Sequence, residues 1–245
     1  MTEGNYNPRA VFEARRKARR RKIVIKRIFC CFATVIITTA LILGGVLVCK
    51  IVKGEVYTEG FIPNPYGRNI SKKVKQAEET TAPDWVDVNL INVHGTARSG
   101  KYLTDIKNIL IHYVGNPGST AVNNRDYFNK LTTSVSSHFI VGLEGEVIQC
   151  VPLHEKSAAS NDRNRDTISI EVCHPDESGK FSDVTYQSLV KLTTWLCQEF
   201  DLDRDDIIRH YDITGKICPK YYVENEDAWE NFKKDVKQSI GDYEK

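Results

Sequence analysis

The stretch "HYDITGKICPK" (210–220) holds His210, Lys216 and Cys218 within eleven residues. Imidazole and thiolate are ligands that zinc favours, and catalytic zinc sites take three protein ligands and keep a fourth position open. The spacing is not the short CxxC or HExxH kind, so ligands here would have to converge from separate elements. His112, in "NILIHY" (108–113), is the third candidate. On a strand its side chain would point away from Ile109, Ile111 and Tyr113. Gly215 allows a turn that folds Cys218 back beside His210. By residue type alone this set is weak, because a histidine on a strand is as a rule a core or surface residue.

Glu171, in "TISIEVC" (167–173), is the second signal. Ile168, Ile170 and Val172 alternate with Ser169, Glu171 and Cys173, a pattern that suits an internal strand, where the carboxylate must meet water, a partner or a site. It is either a residue of an exposed edge strand, half of a structural ion pair, or a general base or acid. Lys216 is either a solvated turn lysine or a cation that stabilises a developing oxyanion.

These residues need elements to hold them. "NILIHY", "TISIEV" and "DIIRHY" (206–211) read as short buried strands, and "SSHFIVGLEGEVIQCVP" (136–152) as a hairpin around "EGE". "AVNNRDYFNKL" (121–131) has helical spacing through Val122, Tyr127 and Leu131. A long helix follows Ser182 as N-cap, with Tyr186, Leu189, Val190, Thr193, Cys197 and Phe200 as its stripe. A last helix over 226–240 turns Trp229, Phe232 and Val236 to one side. Strands alternating with helices give an α/β domain, a single mixed central sheet flanked by helices.

The 245 residues carry a net charge of only +2, unevenly spread. Arg9, Arg15, Arg16, Lys17, Arg19, Arg20, Arg21, Lys22, Lys26 and Arg27 face one acid, Glu13, over residues 9–27. Such a run can mark nucleic-acid binding. Here the uncharged stretch Ile28 to Cys49 follows it. That is about the 20 apolar residues that cross a bilayer, and basic residues stay on the cytoplasmic side. The expectation is a cytoplasmic tail (1–27), one transmembrane signal anchor (28–49), an extracytoplasmic stalk (50–84) with Pro63, Pro65 and Pro83, and a domain over 85–240. The protein is then a single-pass cell-membrane protein, and no nucleic-acid partner is expected.

From Trp85 to Val236 the chain resembles the type 2 N-acetylmuramoyl-L-alanine amidases, which are related to peptidoglycan recognition proteins. The resemblance is carried by "ILIHYVGNPGST", "SSHFIVGLEGEVIQCVP", "SNDRNRDTISIEVCHPDESGKFSDVTYQSLVKLTTWLC" and "IIRHYDITGKICPK". It implies that His112, His210 and Cys218 bind Zn2+ and that Glu171 and Lys216 are catalytic. It also implies peptidoglycan as substrate, cut at the amide between N-acetylmuramic acid and L-alanine by a zinc-activated water. The chain departs from the family at Ser137, where some members have tyrosine, and at "KSAASNDRN" (156–164), where many have a tryptophan–histidine pair. Ser137 shifts the acid–base work onto Glu171. His138 reads as structural, and His154 and His174 as loop residues.

Two other classes stay open: a binding module that grips muropeptides without cutting them, and a zinc peptidase for another cell-wall amide. Non-hydrolytic relatives typically lose the cysteine ligand, which Cys218 retains. Cys150, Cys173 and Cys197 are expected to be free, since a domain of this size needs no staples.

Overall fold

A computed structural model describes residues 70–243. The expected tail, anchor and most of the stalk lie outside the described residues. Among the described residues no helix is long and apolar enough to cross a membrane.

One six-stranded sheet organises the domain, in the order β1-β4-β3-β5-β2-β6. Its strands are β1 (Val86–Val88), β2 (Asn108–Tyr113), β3 (Phe139–Val141), β4 (Val147–Gln149), β5 (Thr167–Val172) and β6 (Ile207–Arg209). Only β3 and β4 pair antiparallel, as the hairpin reading required; every other pair is parallel. The parallel strands β2 and β5 are nearly continuous runs of buried residues because helices cover both faces.

On one face Ile109, Ile111, Phe139, Ile168, Ile170 and Val172 pack beneath α3 (Asp183–Glu199) and α6 (Glu226–Tyr243). Ser182 caps α3 by accepting from Thr185 N, and Leu189, Thr193 and Cys197 are buried as the stripe required. Leu192 and Leu196 are buried as well, so α3 is embedded over a wider arc. Trp229, Phe232 and Val236 fill the same core from α6. On the other face Ile140, Ile148, Cys150 and Cys173 pack against Ala121 and Phe128 of α2 (Ala121–Phe128).

Three expectations are corrected. Val122, Tyr127 and Leu131 are exposed rather than the buried stripe of α2. Thr120 caps that helix, and this frame turns Ala121 and Phe128 inward. "DIIRHY" is strand only to Arg209: His210 opens a short helix, α4 (His210–Thr214), after Asp212 accepts from Arg209 N. Within the expected stalk, residues 72–79 form α1 (Lys72–Glu79), capped by Ser71, with Val74 and Ala77 in the core. The spacing of these two residues is a one-turn helical signal inside a polar segment, too short to register as a period.

The topology makes a crevice. From β2 the chain crosses by α2, on one face, over β5 to β3. From β5 it crosses by α3, on the other face, over β2 to β6. Connections that leave adjacent parallel strands in opposite directions open a cleft at the carboxyl ends of those strands.

Candidate metal centre and active site

His112 and Glu171 stand side by side in that cleft, paired in register across β2 and β5. His112 Nδ1 lies 3.9 Å from Glu171 Oε1. The next strand, β6, ends one residue before His210, whose ring centroid is 4.6 Å from that of His112. Gly215, at φ 75°, ends α4 in the left-handed region that glycine adopts without strain, and the chain turns back. Tyr211 N donates to Cys218 O, which fastens the returning segment. Cys218 Sγ then sits 3.7 Å from His112 Nδ1. One ligand atom from each of His112, His210 and Cys218 falls within 4.8 Å of the others. Strand β2, the first residue of α4 and the loop after it thus supply the set, with His210 on a helix start rather than the strand end expected for it.

The electrostatics favour a cation. Burial, then the neighbouring His210 and Lys216, hold His112 well below the ordinary histidine range. His210 is lowered by burial and by Lys216. Both imidazoles are therefore neutral, the form that binds metal. Burial pushes the Cys218 thiol up to about 12, with Glu171 adding to the shift. His112 Nε2, His210 Nδ1 and Glu171 Oε2 are buried without a hydrogen-bond partner. Unsatisfied buried polar atoms are costly, and a divalent ion would supply the missing partner. The donor set, two imidazoles and a thiol, fits that ion.

Glu171 keeps 20 % of its side chain open. Burial raises its carboxyl to about 8, opposed by Lys216. Lys216 is exposed on the returning loop, yet its charge reaches His112, His210, Glu171 and Cys218. All five predicted site residues therefore surround one cleft.

Ser137 is fully buried, and its hydroxyl donates to Phe139 O, so it offers the cleft no proton. His138 is structural as expected, buried and bonded at both ring nitrogens. His174 is a loop residue as expected, but a buried one: it is 1 % exposed and stacks on Tyr113, with centroids 5.0 Å apart. Tyr113 in turn makes a backbone hydrogen bond to Cys218. This contact had no sequence signal beyond Tyr113 following His112. Cys150, Cys173, Cys197 and Cys218 are all free and buried.

A mixed sheet thus carries at its carboxyl edge a carboxylate beside a His-His-Cys cluster that could hold a metal ion. Residues 102–221 match the family model described as N-acetylmuramoyl-L-alanine amidase (Amidase_2), so the domain is similar to that family over this range. The chain is 31% identical over 170 residues to N-acetylmuramoyl-L-alanine amidase CwlL of Bacillus licheniformis, covering 62% of this chain and 47% of that protein. It is 34% identical over 171 residues to N-acetylmuramoyl-L-alanine amidase BlyA of Bacillus subtilis (strain 168), covering 61% and 46% respectively. The chain thus spans about half the length of the curated relatives it matches. Among solved structures, PlyL superposes with a TM-score of 0.55 at 25% identity, over 62% of this chain and 96% of PlyL. The catalytic domain of XlyA gives 0.54 at 24% identity, over 62% of this chain and 98% of that one, which bears on the fold alone.

Proposed function

We propose that this protein is a zinc-dependent N-acetylmuramoyl-L-alanine amidase. It would be held at the cell membrane by residues 28–49 and would act on peptidoglycan outside the membrane. The observation that carries the reading is the convergence of His112, His210 and Cys218, with Glu171 paired to His112 across the strands. A thiolate with two imidazoles suits zinc better than the hard cations that prefer oxygen. Zinc, when bound, supplies a Lewis acid that brings a water's proton within reach of a weak base at neutral pH.

Glu171 takes that proton. Its raised pKa matches a group that must accept a proton near neutrality and then give it up. The same carboxyl hands the proton to the departing L-alanine amine. Lys216 balances the charge that develops on the amide oxygen. With the Ser137 hydroxyl committed to Phe139, Glu171 carries the proton traffic without a second side chain from that position.

The test is incubation of the full chain with purified peptidoglycan, with product masses and released amino groups read out. Free L-alanine amino termini on intact stem peptides are expected. Products cut within the stem would make the enzyme a peptidase instead. Protease protection of residues 1–27 in intact cells, with the domain digested from outside, checks the orientation.

A further inference from the structure

The face of β5 that carries Glu171 is polar further down. Ser169 lies two residues earlier on that face and is fully buried. Its neighbour on β3 side is His138. In a regular ladder a backbone carbonyl would receive the amides of β5. Here Ser169 N donates instead to His138 Nδ1, at 3.0 Å. An acceptor Nδ1 fixes the other nitrogen as N–H. That Nε2–H donates to Glu155 O at 2.9 Å. Ser169 Oγ lies 3.1 Å from His138 Nδ1 and 2.8 Å from Ser157 Oγ.

The chain of contacts continues. The Glu155 carboxylate takes Arg98 in a fork, Nη2 to Oε1 at 2.7 Å and Nε to Oε2 at 2.9 Å. Arg98 Nη1 donates to Ile91 O. Every member from Arg98 to Ser169 is buried. A buried polar array of this kind is often no more stable than an apolar core of the same volume. It does define one arrangement, since a partly satisfied array is worse than none. Burial holds His138 down near 4, so the neutral tautomer persists through the neutral range. Beyond Ser169 the same face leads to Glu171 and its partner His112.

We propose that His138 is a positioning residue for Glu171: by receiving the Ser169 amide it sets the path of β5 that presents the carboxylate to the metal site. This rests on the reading of Glu171 as the base of the hydrolysis. Misplacement of a catalytic group by about 1 Å can cost on the order of 100-fold, so the effect belongs to kcat.

His138→Asn and His138→Gln separate this role from plain stability. The Asn amide stands where Nδ1 stands and can still receive the Ser169 amide. The Gln amide stands where Nε2 stands and keeps Glu155 but loses Ser169. Each variant sacrifices one hydrogen bond, so similar losses of Tm are expected. In the full chain, H138N should keep kcat within about threefold, and H138Q should lose roughly tenfold or more. Both should bind metal as wild type does and leave KM nearly unchanged. Equal kcat in the two variants and wild type, below their melting temperatures, overturns the inference while leaving the amidase reading intact. A metal-loaded wild type that releases no product overturns both. Should H138Q not fold, Ser157→Ala loosens Ser169 from its far side. Lowered kcat with metal retained is then expected, and wild-type kcat is the contrary result.

Discussion

Glu171→Gln should make the metal-free protein more stable at alkaline pH while removing the base. The carboxyl ionises near 4.5 in an unfolded chain and near 8 in the folded one, with burial the main cause. The folded state therefore holds the proton more tightly, and stability falls as pH rises from about 4.5 to 8. At pH 8 the gap costs the folded state about 4 kcal/mol, an order-of-magnitude figure. Glutamine has a similar shape and never ionises, so it escapes that cost. For a domain of this size the difference is on the order of 10 °C in Tm. Thermal melts in chelator at pH 5, 6.5 and 8 measure it. The two proteins should nearly coincide at pH 5 and diverge by pH 8, with E171Q higher. Adding zinc should narrow the gap, since a cation beside Glu171 favours its charged form. Parallel melts at all three pH values would refute the buried-carboxyl reasoning.

Other outcomes follow from the same geometry. Lys216→Met should lower kcat by about 100-fold while leaving bound metal unchanged, because Lys216 is exposed and no ligand; metal analysis beside kinetics checks it. Cys218→Ser should lose metal and activity together with the fold retained, visible as metal content below stoichiometric against an unchanged circular-dichroism spectrum. Zinc binding to wild type should release more than one proton at pH 8, one from the Cys218 thiol, which burial keeps protonated to about 12, and up to about half from Glu171, which titrates near 8 in the metal-free protein; calorimetry in two buffers of different ionisation enthalpy measures it. A fragment starting at residue 85 should be about 3 kcal/mol less stable than one starting at residue 66, because it lacks the buried Val74, the buried Ala77 and the Ser71 cap; urea unfolding decides.

The cleft was legible because its residues sit in short, strongly patterned strands. Alternation in "TISIEV" placed Glu171 opposite Ile170 and Val172, and the same rule placed His112 opposite Ile111. Strand existence followed from runs of β-branched residues, whose burial on both faces needs helices above and below. The convergence of His210 with Cys218 was visible as a glycine turn, although the strand proved to stop at Arg209. Less was legible where polar residues are buried. His174 is the loop residue it looked like, but its burial was hidden because nothing local to "CHPD" reveals that it stacks on Tyr113, some sixty positions away. Helix α2 was misread since a weakly amphipathic segment offers two stripes, and the Thr120 cap rather than apolar content selected Ala121 and Phe128. Helix α1 was hidden among lysines and glutamates whose two inward residues carry too little signal by themselves.

The central claim is that His112, His210, Cys218 and Glu171 form one zinc-dependent amidase site. The most direct measurement loads the full chain with zinc, removes the excess, and counts bound metal and peptidoglycan products on the same sample, beside C218S and E171Q. One zinc per chain is expected in wild type and E171Q, with L-alanine-terminated stem peptides released by wild type alone. Stem-peptide release by C218S, or full release by E171Q, would contradict the account.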